Sequence, residues 1–266
     1  MKEIKLLNLY PDLLELYGDS GNIKILNYRL QKRNIKLIID TYSIGDDSPD
    51  FSSYDIIFAG GGTLHSQVEI YNDLVKYKDE LKKAIDLGVL FLLINSSYHL
   101  FGKIDYNANN INNKVISDSK NSSNSFTNIS NSLKGLELLP YSTVYFDDIN
   151  THIIGDVVIN SNINGVDTKI LGFENHNAFV YNSPSPLGLV VKGSGNNETD
   201  EEKVEGYFTK NIIATHLHGP LLSLNPMLSD YIISYCLERK YGEKVLLDKL
   251  DDSFEENARR MQLDKN

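Results

Sequence analysis

Residues 89–102 read VLFLLINSSYHLFG, and this stretch decides the fold that we predict for the chain. It begins as an unbroken apolar run, which is typical of a strand covered on both faces. Asn95 ends the run, and Tyr98, Leu100 and Phe101 then resume an apolar spacing that suits a helix. A buried strand that turns sharply into a helix is an elbow, which lifts the residue at its tip above the sheet. The tip of this elbow is Asn95, and a carboxamide is not a nucleophile.

The segments around the elbow alternate between strand-like and helix-like patterns. This rhythm predicts an α/β fold with an open, mostly parallel sheet and helices on both faces. Shorter strands punctuated by Gly and Asn follow in the second half of the chain and predict an antiparallel extension of the sheet. We place strands at 5–9, 36–41, 55–59, 143–146, 153–159, 169–173, 187–191 and 211–215. We place helices at 70–87, at 227–240 and from a cap at Asp19 or Ser20 to about Arg33.

Composition excludes several classes of protein. The chain has 266 residues and a formal net charge of −10, which argues against nucleic acid and anionic membranes as partners. No apolar run approaches the roughly 20 residues of a membrane helix, and the N-terminus lacks the long apolar core of a signal peptide. The single cysteine, Cys236, fits a buried site in a protein of the reducing cytoplasm.

Two segments differ in composition from the rest of the chain. Residues 105–132 contain nine Asn and seven Ser, which predicts a mobile surface insertion. Residues 248–266 are rich in charge and predict a tail that forms a frayed helix. We therefore expect one domain over residues 1–247 that carries the insertion, followed by the tail.

Three features at predicted strand ends are candidates for chemistry. Gly60–Gly62 is either a tight turn that needs positive φ or a source of backbone N–H donors for an oxyanion. His218 ends a strand before Gly-Pro, which we expect to expose its imidazole as a general base. His216 shares its strand face, but no third ligand at a recognised spacing supports a metal site. His176 follows another strand, and it either orients a substrate or finishes a turn. There is no Walker-type loop or dinucleotide fingerprint.

Four motifs together resemble a known family. They are YGDSGN at 17–22, FAGGG at 58–62, GFENH at 172–176 and HLHGP at 216–220. Their order and spacing are similar to those of the cobyric-acid-synthase-like class I glutamine amidotransferases. Within that family they are most similar to the GatD group, the amidotransferase subunits of lipid II isoglutaminyl synthase.

The resemblance implies a flavodoxin-like, three-layer class I glutamine amidotransferase fold and no cofactor or metal. It implies hydrolysis of glutamine by a Cys–His pair, with ammonia passing to a Mur-ligase-like partner, MurT, that amidates a cell-wall peptide precursor. By this match His218 falls on the catalytic histidine and Asn95 on the nucleophile position, which is Cys in the family. Gly61 and Ser96 fall on the oxyanion-hole turn. The residues matched to substrate binding are Gly62, Gln67, His152 and His176.

This chain departs from the family at the positions that matter most. Asn95 cannot form a thioester, Ser96 and Ser97 replace two glycines, and His152 stands where the family has a substrate-holding arginine. Our first hypothesis is a GatD-like subunit in the cytoplasm that binds its partner but has lost glutaminase activity. The alternatives are a working glutamine-hydrolysing enzyme with an atypical site and a stand-alone small-molecule binding domain.

Overall fold

The computed structural model describes residues 1–105, 133–146, 151–197 and 202–264. The predicted insertion at 105–132, apart from Asp105, lies outside these residues. Among the described residues the strands are Glu3–Leu9 (β1), Lys36–Tyr42 (β2), Ile56–Ala59 (β3), Leu90–Ile94 (β4), Lys103–Ile104 (β5), Ser142–Tyr145 (β6), Ile153–Ile163 (β7), Val166–His176 (β8), Ala178–Tyr181 (β9), Gly188–Lys192 (β10), Val204–Glu205 (β11), Tyr207–Thr209 (β12) and Ile212–Thr215 (β13). The α-helices are Gly21–Gln31 (α1), Leu64–Leu74 (α2), Lys78–Asp86 (α3), Ser96–Phe101 (α4), Pro226–Tyr241 (α5) and Ser253–Asp264 (α6).

The central sheet has six strands in the order β12-β13-β4-β3-β1-β2, and β4 lies inside it. All neighbouring strands are parallel except β12, which runs antiparallel to β13 at the edge. Every residue of β4 is buried. Phe91 and Leu93 belong to the core on one face, and Leu90, Leu92 and Ile94 belong to the core on the other. The apolar run therefore forms the doubly covered strand that the sequence predicts.

The predicted fold class, α/β with a mostly parallel sheet and antiparallel parts, is confirmed. The antiparallel strand of the central sheet is β12. The strands that we expected to extend this sheet, at 143–146, 153–159, 169–173 and 187–191, instead form parts of two further sheets, in the orders β11-β10-β7-β8 and β5-β6-β9, the latter with a parallel β5–β6 pair. Strands β7 and β8 form a long hairpin that turns at Asn164 and Gly165, both with positive φ. This hairpin carries the GFENH motif to the elbow.

The helix predicted at 70–87 is two helices, and it begins earlier than the sequence indicated. Helix α2 starts at Leu64, where the Thr63 hydroxyl caps it by accepting from the Ser66 N–H at 3.1 Å. A 3₁₀ turn at Val75–Tyr77 then separates α2 from α3. Beside this turn, the buried carboxylate of Asp73 accepts hydrogen bonds from Tyr10 and Tyr42. Long-range contacts of this kind have no periodic signature in a sequence.

The charged tail contains a regular helix, α6, that contacts the rest of the chain. Arg259 donates to the carbonyl oxygens of Leu224 and Lys169 and to Asn225 Oδ1. Just before α6, Asp252 pairs with the buried Arg29 of α1. None of the helices in the described ranges is long and apolar enough to cross a membrane.

Candidate active site at the strand elbow

Asn95 is the tip of a sharp turn between β4 and α4. Its backbone has φ 52° and ψ −112°, a conformation that few non-glycine residues adopt and that stores strain. Its N–H donates to the carbonyl oxygen of Thr215 at 2.8 Å, which extends the ladder between β4 and β13 by one residue. The local geometry is therefore that of a sharp strand-to-helix elbow, with an amide side chain at its tip.

The side chain of Asn95 is bound to the hairpin. Its amide nitrogen donates to the carbonyl oxygen of Asn175 at 2.8 Å. The Asn175 side-chain oxygen lies 3.1 Å from Nδ1 of the exposed His152. His152 is therefore near the elbow, with Asn175 between it and Asn95. Asn175 had no predicted role, although it lies within the GFENH motif.

The glycines at 60–62 are required by close packing. The structural alternative in our sequence analysis, a turn with positive φ, is wrong, because none of the three has positive φ. A Cβ at Gly60 would lie 2.2 Å from the carbonyl oxygen of Leu14, and one at Gly62 would lie 2.4 Å from that of Leu13. A Cβ at Gly61 would lie 3.2 Å from the Cβ of Asn95. The turn therefore lies directly against the elbow.

The backbone N–H groups of this turn already have acceptors. Gly61 donates to Asp19 Oδ2 at 2.8 Å, and Gly62 donates to Ser96 Oγ at 2.7 Å. Ser97 Oγ in turn donates to the carbonyl oxygen of Gly60 at 2.6 Å. Ser96 and Ser97 thus attach the elbow to the turn. An oxyanion would have to displace Asp19 or Ser96 to reach these donors.

Asp19 is a functional candidate that our sequence reasoning treated only as a helix cap. Its side chain is fully buried, and burial raises the pKa of Asp19 to about 6. Its Oδ1 is buried and has no hydrogen-bond partner within the described part of the chain. A buried carboxylate oxygen without a donor is rare, and it lies beside the candidate oxyanion turn.

His218 is buried, which corrects the expectation of an exposed imidazole. Its ring stacks on Tyr17 with centroids 4.3 Å apart, and its backbone exchanges two hydrogen bonds with Phe173. Nε2 is buried and lacks a partner among the residues described. Burial lowers the pKa of His218 to about 4, so the ring is neutral at pH 7. Tyr17 also approaches Gly61, with Cδ2 3.4 Å from a Cβ placed there, and so links His218 to the elbow.

Two of the predicted substrate-binding residues have buried internal partners. The His176 ring places Nδ1 2.7 Å from the carbonyl oxygen of Ala178 and Nε2 3.5 Å from Glu174. Gln67 accepts a hydrogen bond from the hydroxyl of Tyr145 at 2.5 Å. The structure therefore gathers Gly61, Gly62, Ser96 and His152 around Asn95, whereas His176 and Gln67 belong to a buried polar network.

Comparison with known proteins gives matches over most of the chain. Residues 5–226 match the CobB/CobQ-like glutamine amidotransferase domain. The chain is 34% identical over 266 residues to the lipid II isoglutaminyl synthase (glutamine-hydrolyzing) subunit GatD of Staphylococcus aureus strain N315, covering 100% of this chain and 97% of that protein. It is 32% identical over 253 residues to the subunit of the same name from Streptococcus pneumoniae strain ATCC BAA-255 / R6, covering 94% and 86%. The structure of PurLQS from Thermotoga maritima shares the fold, with a TM-score of 0.54 at 15% identity over 91% of this chain and 100% of that one.

Proposed function

The chain belongs to the CobB/CobQ-like glutamine amidotransferase family, and from that premise we propose that it is a GatD-like subunit without glutaminase activity. In this role it pairs in the cytoplasm with a MurT-type, Mur-ligase-like subunit that amidates a cell-wall peptide precursor. The names of its relatives support the complex. The observation that carries the loss of hydrolysis is the carboxamide of Asn95 at the tip of the elbow.

The chemistry of the amide supports this proposal. Glutaminase chemistry of the family type needs a thiolate that attacks the substrate carboxamide and holds the acyl group as a thioester. The nitrogen lone pair of Asn95 is delocalised into its own carbonyl group. The amide nitrogen also donates a hydrogen bond to the carbonyl oxygen of Asn175. Cys236 is no substitute, because it lies on α5, and burial raises the pKa of its thiol well above its usual range.

The serines beside Asn95 do not supply a replacement nucleophile. Ser96 Oγ accepts from Gly62, and Ser97 Oγ donates to Gly60. Neither hydroxyl is hydrogen-bonded to a histidine in the described structure, and such a bond is what activates a serine. This argues against a working enzyme with atypical chemistry at residues 95–97.

A glutaminase assay tests the loss of hydrolysis. We expect the purified complex with its Mur-ligase-like partner to release no ammonia from glutamine above the level of the His218→Ala variant. The ligase partner should still amidate its acceptor when free ammonium is supplied. Ammonia release that His218→Ala abolishes would overturn the proposal.

Restoring the thiol provides a matched series for the same assay. We expect Asn95→Cys alone to recover little activity, because Ser96 still occupies the Gly62 N–H. The triple variant Asn95→Cys, Ser96→Gly, Ser97→Gly frees that donor, and we expect at least tenfold more activity from it, since one such donor contributes about 10²-fold or more. Equal activity in the two variants would show that the serines do not block the site.

Co-purification separates the proposal from the stand-alone binding domain. We expect the chain, expressed with a Mur-ligase-like protein encoded beside it, to elute as a heterodimer. If it elutes alone and binds a small molecule alone, the binding-domain alternative is correct.

A further inference from the structure

Five buried side chains form a continuous hydrogen-bonded line beneath the elbow, which we name the buried relay. Glu205 Oε2 lies 3.0 Å from His216 Nδ1, and His216 Nε2 lies 3.0 Å from His99 Nε2. His99 Nδ1 lies 3.2 Å from the hydroxyl of Tyr145, which donates to Gln67 Oε1 at 2.5 Å. The relay joins strand β11, the end of β13, helix α4, strand β6 and helix α2.

The relay is buried among polar and aromatic side chains. Glu205 and His216 are fully buried, and His99 is 1% exposed. Glu205 Oε1 accepts from the Thr215 hydroxyl and the His216 N–H, both at 2.7 Å. The ring of His176 stacks on His216 with centroids 3.9 Å apart, and Glu174 lies beyond His176. The ring of Tyr98 meets His216 edge-on at 5.0 Å. The described residues contain no group of three or more His, Cys, Asp or Glu side chains that would hold a metal ion.

The number of protons available along the relay determines which atom donates and which accepts in each hydrogen bond. Tyr145 has a single hydroxyl proton, and it is donated to Gln67, so His99 Nδ1 must carry a proton to bond the Tyr145 oxygen. A neutral His99 then accepts at Nε2, and His216 must donate from its own Nε2. A neutral His216 accepts at Nδ1, which leaves the proton of that bond on Glu205. His216, His99 and Tyr145 then each accept a hydrogen bond from the Glu205 side of the relay and donate one toward Gln67.

Because the Tyr145 hydroxyl donates to Gln67 Oε1, we propose that Glu205 is a neutral carboxylic acid and that the relay donates in one direction, from Glu205 to Gln67. Burial disfavours the charged forms of the Glu205 carboxyl group and of the two histidine rings. It raises the pKa of Glu205, and it holds the pKa values of His99 and His216 well below their usual range. Glu205 is therefore a positioning residue that orients the four other side chains of the relay.

The relay ends at Gln67, whose Oε1 accepts from Tyr145 and whose side chain is buried, with 4% of it exposed. The direction of the relay does not depend on whether the chain hydrolyses glutamine.

The alternative is a relay in which every hydrogen bond donates in the reverse direction. If Glu205 is ionised, His216 donates from Nδ1, His99 donates from Nε2, and Tyr145 donates to His99. Gln67 must then turn its NH₂ group toward Tyr145. The two arrangements place the histidine protons on opposite nitrogens, so the tautomers report the direction of the relay.

Nitrogen-15 NMR of the full-length protein at pH 7 measures those tautomers. Signals are assigned with the His99→Gln and His216→Gln variants. We expect a neutral His216 with its proton on Nε2 and a neutral His99 with its proton on Nδ1. The reverse pair of tautomers, or a charged ring at either position, would overturn the proposal.

Substitution of Glu205 provides an independent test. A glutamine mimics the neutral acid, since its NH₂ group donates to His216 Nδ1 while its oxygen accepts from Thr215. Glu205→Gln should therefore keep both tautomers and the melting temperature. Glu205→Ala leaves several buried groups unpaired and should lower the melting temperature by about 5 °C or more. A change of tautomers in Glu205→Gln would mean that the native carboxyl group is ionised, and the proposal would fail.

Discussion

Asp19 and Ser96 show how single side chains change the use of a backbone donor. The N–H groups of Gly61 and Gly62 lie against the elbow, where an oxyanion hole would need them. Each is instead bound to a side-chain oxygen, one from the YGDSGN motif and one from the elbow itself. A glycine at position 96 would leave the second donor unbound. The hydroxyl of Ser96 therefore stabilises the turn by accepting from the Gly62 N–H, which is then not available to an oxyanion.

At His218, burial makes stability depend on pH. The folded ring has a pKa of about 4, compared with about 6.5 in an unfolded chain. Between these values the unfolded chain binds a proton that the folded protein does not, so the free energy of unfolding falls as the pH falls. We expect wild type to lose about 2 kcal/mol more than His218→Gln between pH 7 and about pH 4.5. Urea denaturation of both proteins at the two pH values measures this difference.

The His218→Gln comparison also removes the effect of Asp19. Burial raises the pKa of Asp19, so its contribution to stability has the opposite sign and is lost as the pH rises toward 6. Asp19 is present in both proteins and cancels in the difference. Equal loss of stability in the two proteins would show that His218 titrates normally in the folded state.

Among the secondary-structure elements, the buried strand was the easiest to predict. The apolar run of β4 has core residues on both faces, so its burial needs no information from elsewhere in the chain. The start of α2 at Leu64 and the break before α3 were missed. The first depends on a Thr63 cap without a strong sequence pattern, and the second occurs where Asp73 meets Tyr10 and Tyr42. Helix bounds that depend on contacts with distant residues cannot be predicted from local sequence patterns.

Arg259 makes several of the hydrogen bonds that join helix α6 to the rest of the chain. Arg259 donates to two backbone carbonyl oxygens and to Asn225, whereas its neighbour Arg260 donates to Asn257 within the helix. We expect Arg259→Ala to lower the free energy of unfolding by about 1–3 kcal/mol, because it leaves acceptors without a donor. Hydrogen exchange should also become faster throughout α6. Arg260→Ala is the matched control and should change neither the free energy of unfolding nor the rate of hydrogen exchange in α6. Equal effects of the two substitutions would show that Arg259 does not attach the helix.

On the scale of the whole molecule, part of the site was predictable and part was not. Gly61 and Asn95 follow neighbouring parallel strands, whose ends meet at one edge of the sheet. Their position at predicted strand ends was visible in the sequence. The relay joins residues from five separate elements. Its residues Glu205 and Gln67 are 138 positions apart in the sequence, and nothing local indicates that they are connected. Hydrogen bonds between elements are a property of the assembled fold, so the sequence indicated the elbow and not the network beneath it.

The two smaller sheets contribute residues to the cores on opposite faces of the central sheet, which supports the prediction of one domain. Val180 of β9 belongs to the core that contains Phe91, and Ile159 of β7 belongs to the core that contains Leu92. Because β4 supplies residues to both cores, we expect all three sheets to unfold together. Val180→Ala and Ile159→Ala should each lower the midpoint of the same single transition, at a cost of roughly 1–5 kcal/mol. Near- and far-ultraviolet circular dichroism should give coincident curves for each variant. If either variant showed a second unfolding transition while the first was unchanged, residues 1–247 would contain more than one domain.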